Sequence, residues 1–305
     1  MTQPPEPPAP VDLEAASRGA PRDGTRRTRV LYVTDLAYAA RGRRYGDEDV
    51  LLSSRLRRHF DIALCHPVDA VALMAGFDVV LVRNSGPVLY YREAHEDFRT
   101  RAREAGVRVL TELTGKADMA GKQYLLDLFA AGYPVIPTVD RLRDVGRLPV
   151  TDRYLAKPLF GADSVGLQLL RPEQLEDLDF QDLLVQPLVD IRYEVSFYFV
   201  GRTFGYALYA PDPEQRWVLE PYEPSAADLA FAQRFVGWND VDRGVQRVDA
   251  CRTPSGDLLL VELEDHNPYL SLDLLPPAAR DAFVEALARS IQELADEPGP
   301  GSAPV

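Results

Sequence analysis

A chain of 305 residues with 46% hydrophobic and 27% charged residues has the composition of an ordinary globular protein with a substantial core. Its net charge of −13 argues against a nucleic-acid partner, whose phosphates it would repel. No apolar run approaches the roughly 20 residues of a bilayer span, and two cysteines, Cys65 and Cys251, are too few for a disulfide scaffold or a structural zinc site. A reducing cytoplasm is the expected compartment.

Residues 1–27, rich in Pro, Ala and Arg and lacking the apolar segment of a signal peptide, are expected to be a disordered tail. The pattern then predicts strands over 29–34, 61–65, 77–82 and 107–110, separated by a loop at 41–46 and by helices over 48–60 and 93–105. Strands alternating with helices imply a mostly parallel sheet. Ligands of such sheets sit beyond the strands' carboxyl ends, which singles out Arg83, Asn84 and Ser85 as holders of an anionic group or as plain loop residues. Glycine-rich nucleotide signatures are missing: Leu110 to Lys116 lacks the first glycine of a Walker A motif, and no strand runs into G-x-G-x-x-G.

From Lys122 the character changes. A helix is expected from Lys122 to Phe129, ending near Gly132, followed by an extended stretch from Tyr133 to Thr138. A strand from Arg153 ends at Lys157-Pro158 and leads into the small, hydroxylated loop Gly161–Gly166, whose backbone N–H groups can converge on an anion. Of 34 basic residues only Lys116, Lys122 and Lys157 are lysine. Lysine is a slim point charge where arginine is a broad fork, so a narrow phosphate site is one reason to keep it, and chance is the other. Leu184 to Val189 is apolar, Tyr193 to Phe199 alternates towards a turn at 201–205, and 211–245 reads as a polar connection.

The stretch Val245–Leu270 reads as a hairpin about Thr253-Pro254-Ser255-Gly256. Alternation puts Arg247, Asp249 and Cys251 on one face and Val248 and Ala250 on the other. On the return strand Glu262 and Glu264 share the polar face, with Leu259, Val261 and Leu263 opposite. Pairing centred on Pro254–Ser255 sets Arg247 opposite Glu262, with Asp249 its diagonal neighbour roughly 7–8 Å away. The carboxylates could share Mg²⁺, which takes oxygen ligands, or simply form a solvated acidic face. A closing helix is expected over 277–294 and a loose tail over 295–305.

Taken in order, these motifs resemble the ATP-grasp superfamily of carboxylate–amine ligases, of the D-alanine–D-alanine ligase and glutathione synthetase kind, across roughly residues 28–294. Lys157-Pro158, Ser164, Val165 and Gly166 are similar to the family's lysine strand and phosphate-covering loop. Lys122 matches its earlier nucleotide lysine, Gln186 and Leu188 its adenine contacts, and Glu194 its ribose carboxylate. Arg247-x-Asp249, then thirteen residues to Glu262, resembles the arginine and first two metal ligands. One departure is plain: the family's Glu-x-Asn is here Glu262-Leu263-Glu264, with Asn267 three residues later.

The resemblance implies an α/β ATP-grasp fold, with an N-terminal parallel domain over 28–118 and an ATP-grasp domain over 119–294, its lobes meeting near residue 190. It implies activation of a small-molecule carboxylate as an acyl phosphate and its joining to an amine, releasing ADP and phosphate. Lys122 and Lys157 would neutralise ATP phosphates, with Lys157 and Arg247 the catalytic cations. Asp249, Glu262 and Glu264 would hold Mg²⁺, with Mn²⁺ the alternative. His266 is a candidate base, Cys251 reads as a small hydrophobe, Lys116 has no matching role, and a homodimer is allowed. Ring closure within one substrate and a non-catalytic nucleotide-binding protein are the competing readings.

Overall fold

Four strands, β1 (Arg29–Val33), β2 (Asp61–Cys65), β3 (Val79–Val82) and β4 (Val109–Leu110), form a parallel sheet in the order β2-β1-β3-β4. The structure is a computed structural model describing residues 26–40, 43–83, 88–160 and 166–298. The expected tail over 1–25, Asn84 and Ser85, Ser164 and Val165, and residues 299–305 lie outside these. Arg26 and Arg27, assigned to the tail from the sequence, are instead anchored: Arg26 pairs with Asp78 at 2.6 Å and Arg27 donates to the carbonyl of Phe60 at 3.0 Å.

Both faces of this sheet are covered, which is why its strands read as apolar runs. Val30, Tyr32, Val79 and Leu81 point to one core, and Leu31, Val33, Val80 and Val82 to another. The first core takes Leu52 and Leu56 from α1 (Gly46–Leu56), and the second takes Phe98 and Ala102 from α2 (Arg92–Glu104). α1 stops short of the expected Phe60, because residues 57–60 turn to deliver the chain into β2.

The short helix α3 (Tyr124–Ala130) precedes a three-stranded antiparallel sheet, β6-β5-β7, made of β5 (Tyr154–Pro158), β6 (Gln168–Leu170) and β7 (Leu183–Pro187). Five further strands pair antiparallel in the order β10-β9-β8-β11-β12: β8 (Tyr193–Val200), β9 (Thr203–Ala210), β10 (Glu220–Pro221), β11 (Val245–Arg252) and β12 (Leu258–Glu264). The extended stretch after α3 links the two sheets: Pro134 and Ile136 bond the backbone of Leu260, and Val139 bonds Val185.

The stretch 211–245 is not simply a polar connection. It contains a 14-residue helix, α4 (Ala226–Asn239). Ser225 accepts the N–H of Asp228 at 3.2 Å, Asp228 accepts that of Ser225 at 3.0 Å, and Asp240 ends the helix at a left-handed φ of 61°. The final helix, α5 (Pro277–Asp296), runs past the expected end and takes in residues 295 and 296. No helix among the described residues is long and apolar enough to cross a membrane.

The five-stranded sheet is covered differently on its two faces. Val195, Phe197, Phe199, Val248, Leu260 and Leu263 pack on α3 and α4. At one end of the opposite face, Tyr198, Val200, Tyr206 and Leu208 meet α5 and the parallel sheet in a single core. The rest of that face is open. Within the shared core Phe283 is 2% exposed and meets Tyr206 edge to face at 5.2 Å. Phe283→Ala is expected to cost about 3–5 kcal/mol and to lower one common denaturant midpoint for both sheets, read by circular dichroism and tyrosine fluorescence.

Candidate active site

The open face of the five-stranded sheet is laid out in rows. Register places Glu194 opposite Cys251, Ser196 opposite Asp249 and Tyr198 opposite Arg247; on the far side Asp249 faces Glu262 and Arg247 faces Glu264. Successive rows lie about 7 Å apart along the strands. The sequence expectation of Arg247 opposite Glu262 is therefore wrong by two residues. The turn is one residue longer than assumed, and a bulge at Val261 adds another. The facing of β12 is corrected too: Leu263 enters the core as expected, but Leu258 and Leu260 join it there, while Val261 lines the open side.

Asp249, Glu262 and Glu264 offer oxygens within 4.8 Å of one another. Such crowding needs cations. Arg247 donates to both oxygens of Asp249 at 2.9 and 2.8 Å and to Glu264 at 2.6 Å, and Ser196 donates to Asp249 at 2.6 Å. Burial would lower the guanidinium, but Asp249 and Glu264 outweigh it and hold Arg247 well above its usual range. Burial raises Glu264 well above the ordinary carboxyl value, against the pull of Arg247.

Lys122, just before α3, reaches Glu262 at 2.9 Å and Asp118 at 3.6 Å. Burial pushes Glu262 up, yet Lys122 and then Lys157 hold it down at about 2. Lys157 on β5 is 5% exposed, and burial brings its ammonium down to about 8. Gly166 follows at φ 78°, where a side chain would strike Pro158 at 2.8 Å.

These groups line one cleft of about 410 Å³. On β7, Gln186 is buried and donates to Thr138 at 2.8 Å, and beside it Leu188 is half exposed. Glu194 lies in the first row and is raised by burial, opposed by Arg216, which bonds it at 2.8 Å. Beyond the third row, Tyr45, Asn267, Tyr269 and Ser271 close the other end.

Several candidates fall elsewhere. His266 does not line the cleft; it is buried, its ring meets His95 at 4.3 Å, and burial holds it well below its usual range, so it is no base for this site. The adjacent Asp265 accepts the N–H groups of Met119 and Ala117. Arg83 turns inward and pairs with Glu48 and Asp49, so the anions it holds belong to the chain. Lys116 lies over the Trp238 ring, and Cys251, raised to about 11 by burial, is a wall residue of the cleft. Sequence reading missed Asp118, Arg216, Tyr45 and Tyr269, which tertiary packing brings in from distant segments.

No family model and no curated protein matches this sequence. Solved structures do. D-cycloserine synthetase DcsG is 21% identical, with 86% of this chain and 99% of that one covered at a TM-score of 0.66. D-alanine–D-alanine ligase from Bacillus anthracis, solved with ATP, is 12% identical over 88% and 97% at 0.62. ATP-grasp ligase PsnB, solved with a minimal precursor, is 16% identical over 86% and 99% at 0.60. The strands that carry the carboxylate rows and the buried lysines thus belong to a backbone plan shared over nearly whole chains: the protein has the ATP-grasp fold.

Proposed function

We propose that this protein is an ATP-dependent, ADP-forming ligase that joins a small-molecule carboxylate to an amine. The observation that carries the reading is three carboxylates within 4.8 Å, flanked by two buried lysines, in a cleft of about 410 Å³. The substrate carboxylate attacks the γ-phosphorus of ATP and ADP leaves. The amine then attacks the acyl carbon, and phosphate departs.

All three donors are carboxylate oxygens, a hard set that suits Mg²⁺ or Mn²⁺. Asp249, Glu262 and Glu264 would hold the ion, and when bound it neutralises charge on the β- and γ-phosphates. Gln186 and Leu188 face the base and Glu194 the ribose. Lys122 and Lys157 meet the phosphates, with Gly166 beside them. Arg247, one row further on, stabilises the oxyanion at the acyl carbon. The thiols Cys65 and Cys251 are buried and unpaired with each other, which suits a cytoplasmic enzyme.

Hydroxylamine intercepts an acyl phosphate, so Mg·ATP, hydroxylamine and a panel of amino acids and small acids test the reading directly. A hydroxamate with an equal amount of ADP is expected for one class of acid. ATP binding without ADP release on any acid would overturn it in favour of a nucleotide-binding protein, and the product mass without hydroxylamine separates joining from ring closure. Glu262→Lys should abolish turnover, and full activity in that variant would sink the metal assignment.

Lys157 adds a pH dependence. Burial brings its pKa down to about 8, and a triphosphate beside it raises it, so binding takes up a proton at alkaline pH. Affinity is complete below pH 8 and falls as pH rises through it, by up to about tenfold per unit. Titration calorimetry in buffers of different ionisation enthalpy should show this uptake, and Lys157→Met should remove it while weakening binding by at least about tenfold.

A further inference from the structure

The end of the cleft beyond Arg247 is built from backbone that is held in an unfavourable conformation. Ser271 sits at φ 51° and ψ 41°, a left-handed geometry that costs energy in any residue with a side chain. Together with Tyr269 it faces the cavity. Something must keep it there.

The restraint comes from the far side of the molecule in sequence. Glu48, in the first turn of α1, accepts the N–H of Leu270 at 2.8 Å with one oxygen and that of Leu272 at 3.2 Å with the other. The two bonds straddle Ser271. Tyr206 donates to the carbonyl of Leu270 at 2.5 Å, Arg247 donates to that of Tyr269 at 2.9 Å, and the Tyr45 ring stacks on Tyr269 at 4.8 Å. Glu48 is itself fixed: it is 5% exposed and meets Arg83 at 3.4 Å, and Arg83 also pairs with Asp49 at 3.2 Å. Asp49 in turn accepts from Tyr32 and Thr34 at the end of β1. Glu48 does not line the cleft, so it acts on the site only through this loop.

We infer that Glu48 is a positioning residue for the acceptor end of the cleft, holding Tyr269 and Ser271 towards the substrates by accepting the N–H groups on both sides of Ser271. The inference rests on the ligase reading for what the loop serves, but the restraint itself is measurable without turnover. The isosteric variant Glu48→Gln keeps the shape, offers one acceptor oxygen and turns an NH₂ towards the second N–H. Amide exchange at Leu270 and Leu272 is expected to speed up at least tenfold, with exchange in β11 and β12 unchanged and the dissociation constant of Mg·ATP within twofold of the parent. With the acid found in the hydroxamate screen, KM for hydroxylamine should rise more than kcat falls. If no acid yields a hydroxamate, the ligase reading fails while the exchange result still decides the role of Glu48.

The parent protein supplies a second test should the variant not fold. The titratable and charged groups facing Glu48 are Arg83, Asp49, Tyr32, Tyr198 and Tyr206. Burial, opposed by Arg83, brings Glu48 up to about 7, while burial holds the three tyrosines above their usual range. Protection of Leu270 and Leu272, corrected for intrinsic exchange, should therefore decrease from pH 8 to pH 6. Unchanged exchange at these amides in Glu48→Gln, or in the parent across that range, overturns the assignment. So does exchange that speeds equally in all sheets, which would mark Glu48 as part of the general core.

Discussion

Mutual repulsion among carboxylates is the constraint around which this cleft is arranged. Asp249, Glu262 and Glu264 lie within 4.8 Å of one another on strands buried from behind, where water cannot screen them fully. The chain answers with two cations of different shape. Arg247, a planar fork, reaches two carboxylates and a backbone carbonyl at once, which fixes its direction. Lys122, a point charge, is shared between Glu262 at 2.9 Å and Asp118 at 3.6 Å. The acids are thus balanced by cations of the chain itself.

Antiparallel pairing then turns that balance into distance. Because side chains on one face recur every second residue, the rows at Glu194, Ser196 and Tyr198 form a scale along β8, and β11 and β12 repeat it. A sheet holds such intervals more rigidly than a set of loops would, and loops are left to define what enters from either end.

Much of this scale was legible in the sequence. Period-two alternation in β11 puts Arg247 and Asp249 on one face whatever the partner strand does, and Lys122 and Lys157 stand out in a chain that otherwise uses arginine. Register was not legible to the same degree. A bulge at Val261 leaves no mark in composition, yet it moves Glu264 opposite Arg247 and turns Val261 to the open side. α4 was overlooked because Ala, Phe, Trp and Val lie around much of its circumference and blur the helical period, although Ser225 and Asp228 spell out its capping box. Asp118, Arg216 and Tyr45 come from separate segments and become neighbours only when the chain has folded. His266 shows the opposite failure: adjacency to the acidic strand suggested chemistry, whereas packing against His95 decides its place.

The distribution of cores carries one more consequence. α5, the parallel sheet and one end of the five-stranded sheet share a single apolar interior, so these parts cannot shift against one another without opening it. The three-stranded sheet is different. Tyr154, Ala156, Leu170, Leu175 and Val185 form a small interior of their own, joined to the rest through the extended stretch beside Leu260 and Val185, through Leu184 in the core beneath the five-stranded sheet, and through the bond from the N–H of Lys122 to the carbonyl of Leu159. The cleft thus lies between a sheet that shares its interior with α5 and the parallel sheet and bears the acids, and a sheet with a smaller interior of its own that bears Lys157 and Gln186.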